Sequence, residues 1–223
     1  MTLIKRTLAV IMSVIMLLGM LPMTVLAADD EEYEGAEIIA SGECGLYVDW
    51  KLNSLGTLFL ESNGSNAATY DYPYDKNSPF RNDSRIKKII VGEGVTYLGR
   101  MVFRDLSNLT EVVIEEGLKE MEFGVFSGCP LLTELELPAS FNKFTTVSPF
   151  YESGIKKLTF KGNNLTTNTE PGYAWDRFFT NADIYVPLPF TLDGTVLSSY
   201  EEAAQALGHN GQYGILCKRQ CYS

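Results

Sequence analysis

The sequence predicts a β-rich α/β solenoid, a stack of short repeats carrying a parallel sheet along one side. Three observations predict it. The first is a fixed apolar period: Ile86, Leu109, Leu132 and Ile155 are each 23 positions apart. Further columns run Ile89, Val112, Leu135, Leu158 and Val91, Ile114, Leu137, Phe160. Shorter ones hold Val95, Leu118, Phe141, then Leu98, Met121, Phe144, then Phe103 and Phe126. A period in the twenties marks an array in which no repeat buries its apolar face without neighbours. The second is alternation, because the position between two apolar columns varies freely as Ile90, Val113, Glu136 and Thr159. That is a strand with one buried face. The third is the strand-breaking residues that follow: Gly92-Glu93-Gly94, Glu115-Glu116-Gly117 and Pro138-Ala139-Ser140. Stacked turns then pair in parallel at about 4.8 Å.

Residues 1–27 read as an export signal. Lys5 and Arg6 form a positive start, Thr7–Val25 is an apolar run interrupted by Gly19 and Pro22, and Val25-Leu26-Ala27 offers small residues for cleavage. The run is also long enough for an uncleaved anchor. Pro22 and the small residues favour cleavage after Ala27. Loss of Lys5 and Arg6 takes 18 basic residues to 16 against 28 acidic ones, moving the net charge from −10 to −12. Nucleic acid and anionic lipid are poor partners for such a chain.

Residues 28–85 hold an acidic leader and a β unit. Asp29–Glu34 reads as a solvated stretch, since it lacks the glycine and alternating spacing of a calcium loop. Tyr47–Leu52 and Thr57–Ser62 form a β-hairpin joined by Asn53-Ser54-Leu55-Gly56. A solenoid needs its first apolar rung covered, so the hairpin is expected as an N-terminal cap. The repeats occupy 86–187. A fourth turn opens at Ile155–Phe160, the polar stretch Asn163–Gly172 is expected to loop out, and Ile184-Tyr185-Val186-Pro187 reads as a fifth strand. Residues 188–223 are a C-terminal helical cap and tail. Ser199 and Glu202 make a capping box, Glu201–Leu207 are helix formers, and Gly208 is the stop.

The unit L-x-x-V-x-I-x-x-x-L-x-x-M-x-x-x-x-F-x-x-C in Leu109–Cys129 resembles the bacterial BspA-like leucine-rich repeats of surface proteins. Ser41-Gly42-Glu43-Cys44-Gly45, Trp50-x-Leu52 and Gly56-Thr57-Leu58 resemble the stretch before the first repeat in that family. The resemblance covers 41–160 and extends to 184–207. The chain departs from it at Glu61–Gly64, where a more glycine-rich turn is usual, and at Phe80, where Trp follows the proline. The resemblance implies a leucine-rich-repeat solenoid of the right-handed β-α superhelix type, closed by a short C-terminal helix. It also implies a secreted or cell-surface, non-enzymatic adhesion module for a protein partner on a host or neighbouring cell.

Little in the residues points to catalysis, a cofactor or a metal. His209, the one histidine, follows the helix stop with no carboxylate beside it. Gly92-Glu93-Gly94 lacks the third glycine and the helix of a phosphate loop. A two-carboxylate glycosidase, whose acids can come from anywhere in the fold, stays as the weaker alternative to a binding module. Glu115 and Glu116 sit in a variable turn, unlike a tuned acid and base. Cys129 takes the column of Leu106 and reads as buried. Cys217 and Cys221 are spaced for a bridge, for zinc or for no bond, and Cys44 has no identified partner.

Two surfaces are candidates for binding. On the sheet's solvent face lie Lys88, Glu111, Glu134 and Lys157 in one column and Ile90, Val113, Glu136, Thr159 and Tyr185 in the next. Lys88 with Glu111, and Glu134 with Lys157, should pair across strands. Apolar Ile90, Val113 and Tyr185 among those charges suit contact with a protein. The alternative surface is aromatic. Tyr70, Tyr72 and Tyr74 alternate, so an extended segment would set three rings on one side for carbohydrate stacking, with Trp175 as a further candidate.

Overall fold

The computed structural model describes residues 36–74, 76–145, 148–167 and 182–206. The export segment, the acidic leader, Trp175, His209, Cys217 and Cys221 lie outside these residues. The chain enters as an antiparallel meander: β1 (Ile38–Leu46), β2 (Val48–Asn53) and β3 (Thr57–Ser62). The hairpin expected at Asn53–Gly56 joins β2 to β3, and Asn53 accepts the backbone N–H groups of Leu55 and Thr57 at 3.1 and 2.9 Å. β1, which the sequence reading did not foresee, also pairs with β4 (Ala67–Thr69). Gly45 makes that approach feasible: a Cβ there would lie 2.1 Å from the Ala68 carbonyl oxygen.

Two stacks of strands grow from this unit. The front stack continues β3 through β5 (Lys88–Val91), β7 (Glu111–Ile114), β9 (Glu134–Leu137), β11 (Lys157–Phe160) and β13 (Asp183–Tyr185). The back stack continues β4 through β6 (Val95–Leu98), β8 (Glu120–Met121), β10 (Lys143–Phe144), β12 (Asn164–Thr167) and β14 (Phe190–Leu192). Every pairing from β3 to β14 in these stacks is parallel. An antiparallel β15 (Thr195–Leu197) then follows β14 at the end of the back stack. The result is a β-solenoid of about four turns with very little helix. In the described part of the repeats the return legs are strands and turns, so no helix fills the α position of a β-α superhelix.

The segment from Asn163 departs from expectation too. Asn164–Thr167 does not loop out but pairs with β10 and β14, burying Leu165 and Thr167. Its alternation is carried by Leu165 and the polar Thr167, so little in its composition marks it as a strand. The C-terminal helix α1 spans Tyr200–Ala206. Its capping box is present, with the Glu202 N–H donating to Ser199 Oγ at 3.2 Å and the Ser199 N–H donating to Glu202 Oε2 at 3.4 Å.

The columns read from the sequence form the core. Ile89, Leu135 and Leu158 are buried, as are Leu98, Met121 and Phe144 behind them. On the third side of each turn a phenylalanine ladder runs along the axis. Phe80–Phe103, Phe103–Phe126 and Phe126–Phe150 have ring centroids 5.7, 5.5 and 6.4 Å apart. Phe80 stands 23 residues before Phe103 and belongs to this ladder. Trp50 meets it edge-on at 5.3 Å, so an aromatic from β2 ends the stack.

Cys129 and Cys44 are buried free thiols. Cys129 Sγ donates to the Phe103 carbonyl at 3.2 Å, and burial pushes its pKa up to about 12. Native thiol labelling should therefore miss Cys129, and labelling in denaturant should find it. Rapid native labelling would contradict its place in the Leu106 column.

Candidate functional site

The front face is built from positions whose side chains must point outward once the ladder points in. Glu111, Val113, Glu134 and Glu136 are exposed, while Lys88, Ile90, Lys157, Thr159 and Tyr185 are half-buried. Val113 is 38% exposed although it is apolar. Charges pair between neighbouring strands: Lys88 with Glu111 at 3.2 Å, Lys157 with Glu134 at 2.9 Å, and Lys161 with Glu136 at 2.5 Å. The Glu134 carboxylate raises the pKa of Lys157, whose ammonium also lies 5.8 Å from the Tyr185 ring centroid. Such solvent-exposed pairs are worth about 0–1 kcal/mol each, so their arrangement bears on recognition more than on folding.

The front stack is interrupted at its middle. β5 pairs with β7 and β9 with β11, but no ladder joins β7 to β9 although they lie side by side. On β7 and β11 the flanking N–H groups at both ends reach back one turn: Glu111 to the Lys87 carbonyl, Glu115 to Val91, Lys157 to Thr133 and Lys161 to Leu137. The equivalent donors on β9 are Glu134 and the residue after Leu137. That residue is Pro138, which has no N–H to give Ile114. Pro187 holds the same place after β13, which still pairs with β11, so the proline removes one bond without by itself opening the seam. Like charges add to the misfit, since Glu111 and Glu134 occupy equivalent positions on the two facing strands. Val112 and Ile114 are 9% and 8% exposed here, whereas Ile89 and Val91 one turn earlier are fully buried.

A groove of about 460 Å³ opens at this seam. It gathers Glu111, Glu134, Glu136, Lys157 and Thr159 from the sequence candidates and adds Thr110, Val112, Thr133 and Leu135. Lys88, Ile90, Val113 and Tyr185 lie on the same face outside the groove lining. Pro138 was legible as a turn residue. Its effect on hydrogen bonding appears only once the direction of the ladder is known.

Glu115 and Glu116 serve the turns. Glu115 accepts the Glu93 N–H at 2.8 Å, toward the preceding turn. Glu116 accepts the N–H groups of Ala139 and Ser140 at 2.9 and 3.0 Å, toward the following one. The Ala139 N–H is the main cause that holds the Glu116 carboxyl below its ordinary range. The two carboxylates point along opposite directions of the axis and fasten three turns together.

The tyrosine run divides. Tyr72 is half-buried with its hydroxyl donating to the Cys44 carbonyl at 3.1 Å, and burial raises its pKa. Tyr70 and Tyr74 are exposed, and the Arg104 guanidinium lies 5.2 Å from the Tyr74 ring centroid. Among the described residues no cluster of histidine, cysteine or carboxylate is arranged to hold a metal ion, and no helix is long and apolar enough to cross a membrane.

Comparison with known proteins agrees with the repeat geometry. Residues 76–171 match the BspA type leucine rich repeat region, in six copies. No curated protein matches the chain. It is similar to a leucine-rich repeat protein of Eubacterium ventriosum, at 22% identity over 70% of this chain and 45% of that one, with a TM-score of 0.46. This chain thus spans less than half of that protein's length. It is also similar to a leucine-rich repeat protein of Bacteroides capillosus, at 21% identity over 54% of this chain and 100% of that one, with a TM-score of 0.36. The leucine rich repeat protein of T. pallidum is 12% identical over 75% of this chain and 96% of that one, with a TM-score of 0.37. Proteins of the BspA repeat type are generally binding scaffolds rather than enzymes. A 23-residue register and a phenylalanine per turn accompany the match, so residues 76–171 are similar to the BspA type leucine rich repeat region.

Proposed function

We propose that this chain is exported and binds a protein partner without catalysis, as a secreted or cell-surface adhesion module acting on a host or neighbouring cell. The solvent face of the front stack carries the contact. In this reading cleavage follows Ala27, the array is wound right-handed, and β1–β3 and α1 cover its two ends. The observation behind the surface assignment is exposed Val113 among paired charges, beside a groove that the ladder leaves open. Apolar contact area inside a polar rim is the usual composition of a protein interface. Export is supported by the positive, apolar and small-residue order of residues 1–27.

The test is Val113→Arg combined with Glu136→Arg. Both side chains are exposed, so the melting temperature should hold within about 2 °C. Affinity for a partner isolated with the mature protein as bait should fall at least about tenfold, or about 1.4 kcal/mol. Unaltered affinity would move the site off the sheet. A carbohydrate reading retains Tyr70 and Tyr74, whose exposed rings offer stacking faces. A glycan array probed with the parent and a Tyr70→Ala/Tyr74→Ala variant separates the two: glycan binding lost with those rings favours carbohydrate.

A further inference from the structure

Across the front face, the column of charges reads Lys88, Glu111, Glu134, Lys157. The order of signs is plus, minus, minus, plus. Alternation fails once, at the seam between β7 and β9, where the backbone ladder is also missing. Each carboxylate is drawn away from the seam by its own lysine, Glu111 through Oε1 to Lys88 and Glu134 through Oε2 to Lys157. Two like charges on facing strands of a sheet are unfavourable, and a cation between them reverses the sign of that interaction.

We propose that the seam is a socket for an arginine side chain presented by an extended segment of the partner protein. The guanidinium sits between Glu111 and Glu134, restoring alternation as plus, minus, plus, minus, plus. Its planar fork of five N–H donors serves carboxylates on both banks and still reaches the Thr110 carbonyl, which no N–H of β9 meets. A lysine ammonium carries the charge but not the spread of donors. The methylene stem lies along the groove between β7 and β9. A volume of about 460 Å³ exceeds one arginine side chain, leaving room for the flanking residues. This socket rests on the front-face reading given above and supplies its partner chemistry.

The test selects nonapeptides from a random phage-displayed library on the mature chain and measures the synthetic winners by fluorescence anisotropy. The winners are expected to share an arginine. Its replacement by uncharged citrulline should weaken binding at least tenfold, and so should Glu111→Gln with Glu134→Gln. That double variant removes a like-charge pair and two solvent-exposed ion pairs, each worth little, so it should melt close to the parent temperature. Affinity should also fall as salt rises from 50 to 500 mM. Winners without a basic residue, an empty selection, or affinities indifferent to the double variant would overturn the socket. Val113→Arg, on the same face but outside the groove lining, separates the two readings. If it weakens the peptides while Glu111→Gln/Glu134→Gln does not, the face binds and the socket is wrong. If neither has any effect, both readings fall.

Discussion

Leu135→Asp is expected to abolish cooperative unfolding. Leu135 is 2% exposed, pairs in register with Leu158 and stands behind the seam in the middle of the inward ladder. A carboxylate there has neither water nor a cationic partner. Removal of an unpaired charge from water together with loss of the leucine contacts costs about 4–5 kcal/mol or more. That is comparable to the whole stability of many single domains. In a stacked array the damage spreads, because each turn is held mainly by its two neighbours. Glu134→Asp, one residue away but outward, should melt close to the parent. A thermal transition for Leu135→Asp that matches the parent would mean that the register is displaced.

Phe126→Ala should produce the next largest loss, about 3–5 kcal/mol. Phe126 is fully buried between Phe103 and Phe150, so its removal opens a cavity in the middle of the ring ladder. The ring contacts with its two neighbours contribute beyond area burial, about 0.5–1.5 kcal/mol for a well-placed pair. Taken at about 2–4 °C per kcal/mol, the melting temperature drops by roughly 6–20 °C. Phe123 is the internal control. It is half-buried and covered by Arg100 at 5.5 Å, so Phe123→Ala should cost much less. Equal losses for the two variants would show that the ladder adds nothing to ordinary burial.

The front stack was legible because each of its strands writes two inward residues separated by one outward residue, four times at the same period. Ile89 and Val91, or Leu135 and Leu137, are enough to set both direction and register. The back stack was not. β8 and β10 are two residues long with one inward side chain each, Met121 and Phe144, and one residue carries no alternation. Those columns were visible as apolar positions without showing that they paired as strands. Asn164–Thr167 was hidden for the same reason, with Leu165 as its single strong marker. Phe80 was detectable by subtraction, since it lies one period before Phe103.

The candidate site was legible in its columns and illegible in its break. Lys88 with Glu111 and Lys157 with Glu134 could be paired from sign alone, and the structure shows both contacts. The meeting of Glu111 with Glu134 in that same column was equally present in the sequence. What made it significant was a backbone property. Pro138 can matter to β7 only because the N–H at its position points back one turn, and that direction is a fact of the winding. The tyrosine run divides for a different reason: alternation sorts side chains in an extended strand, whereas residues 70–73 follow no regular element.

Residue-resolved amide hydrogen exchange on the mature protein examines the seam itself. Glu111 and Lys157, whose N–H groups reach the Lys87 and Thr133 carbonyls, should exchange slowly, with Val113 and Thr159 protected beside them in the paired strands. Glu134 and Glu136, facing a strand that offers them no ladder, should exchange at least about a hundredfold faster in the same sample. Addition of an arginine-bearing nonapeptide that binds the groove should slow that pair selectively. Uniform protection across β5, β7, β9 and β11 would mean a continuous sheet, with no groove at its centre for a partner to enter.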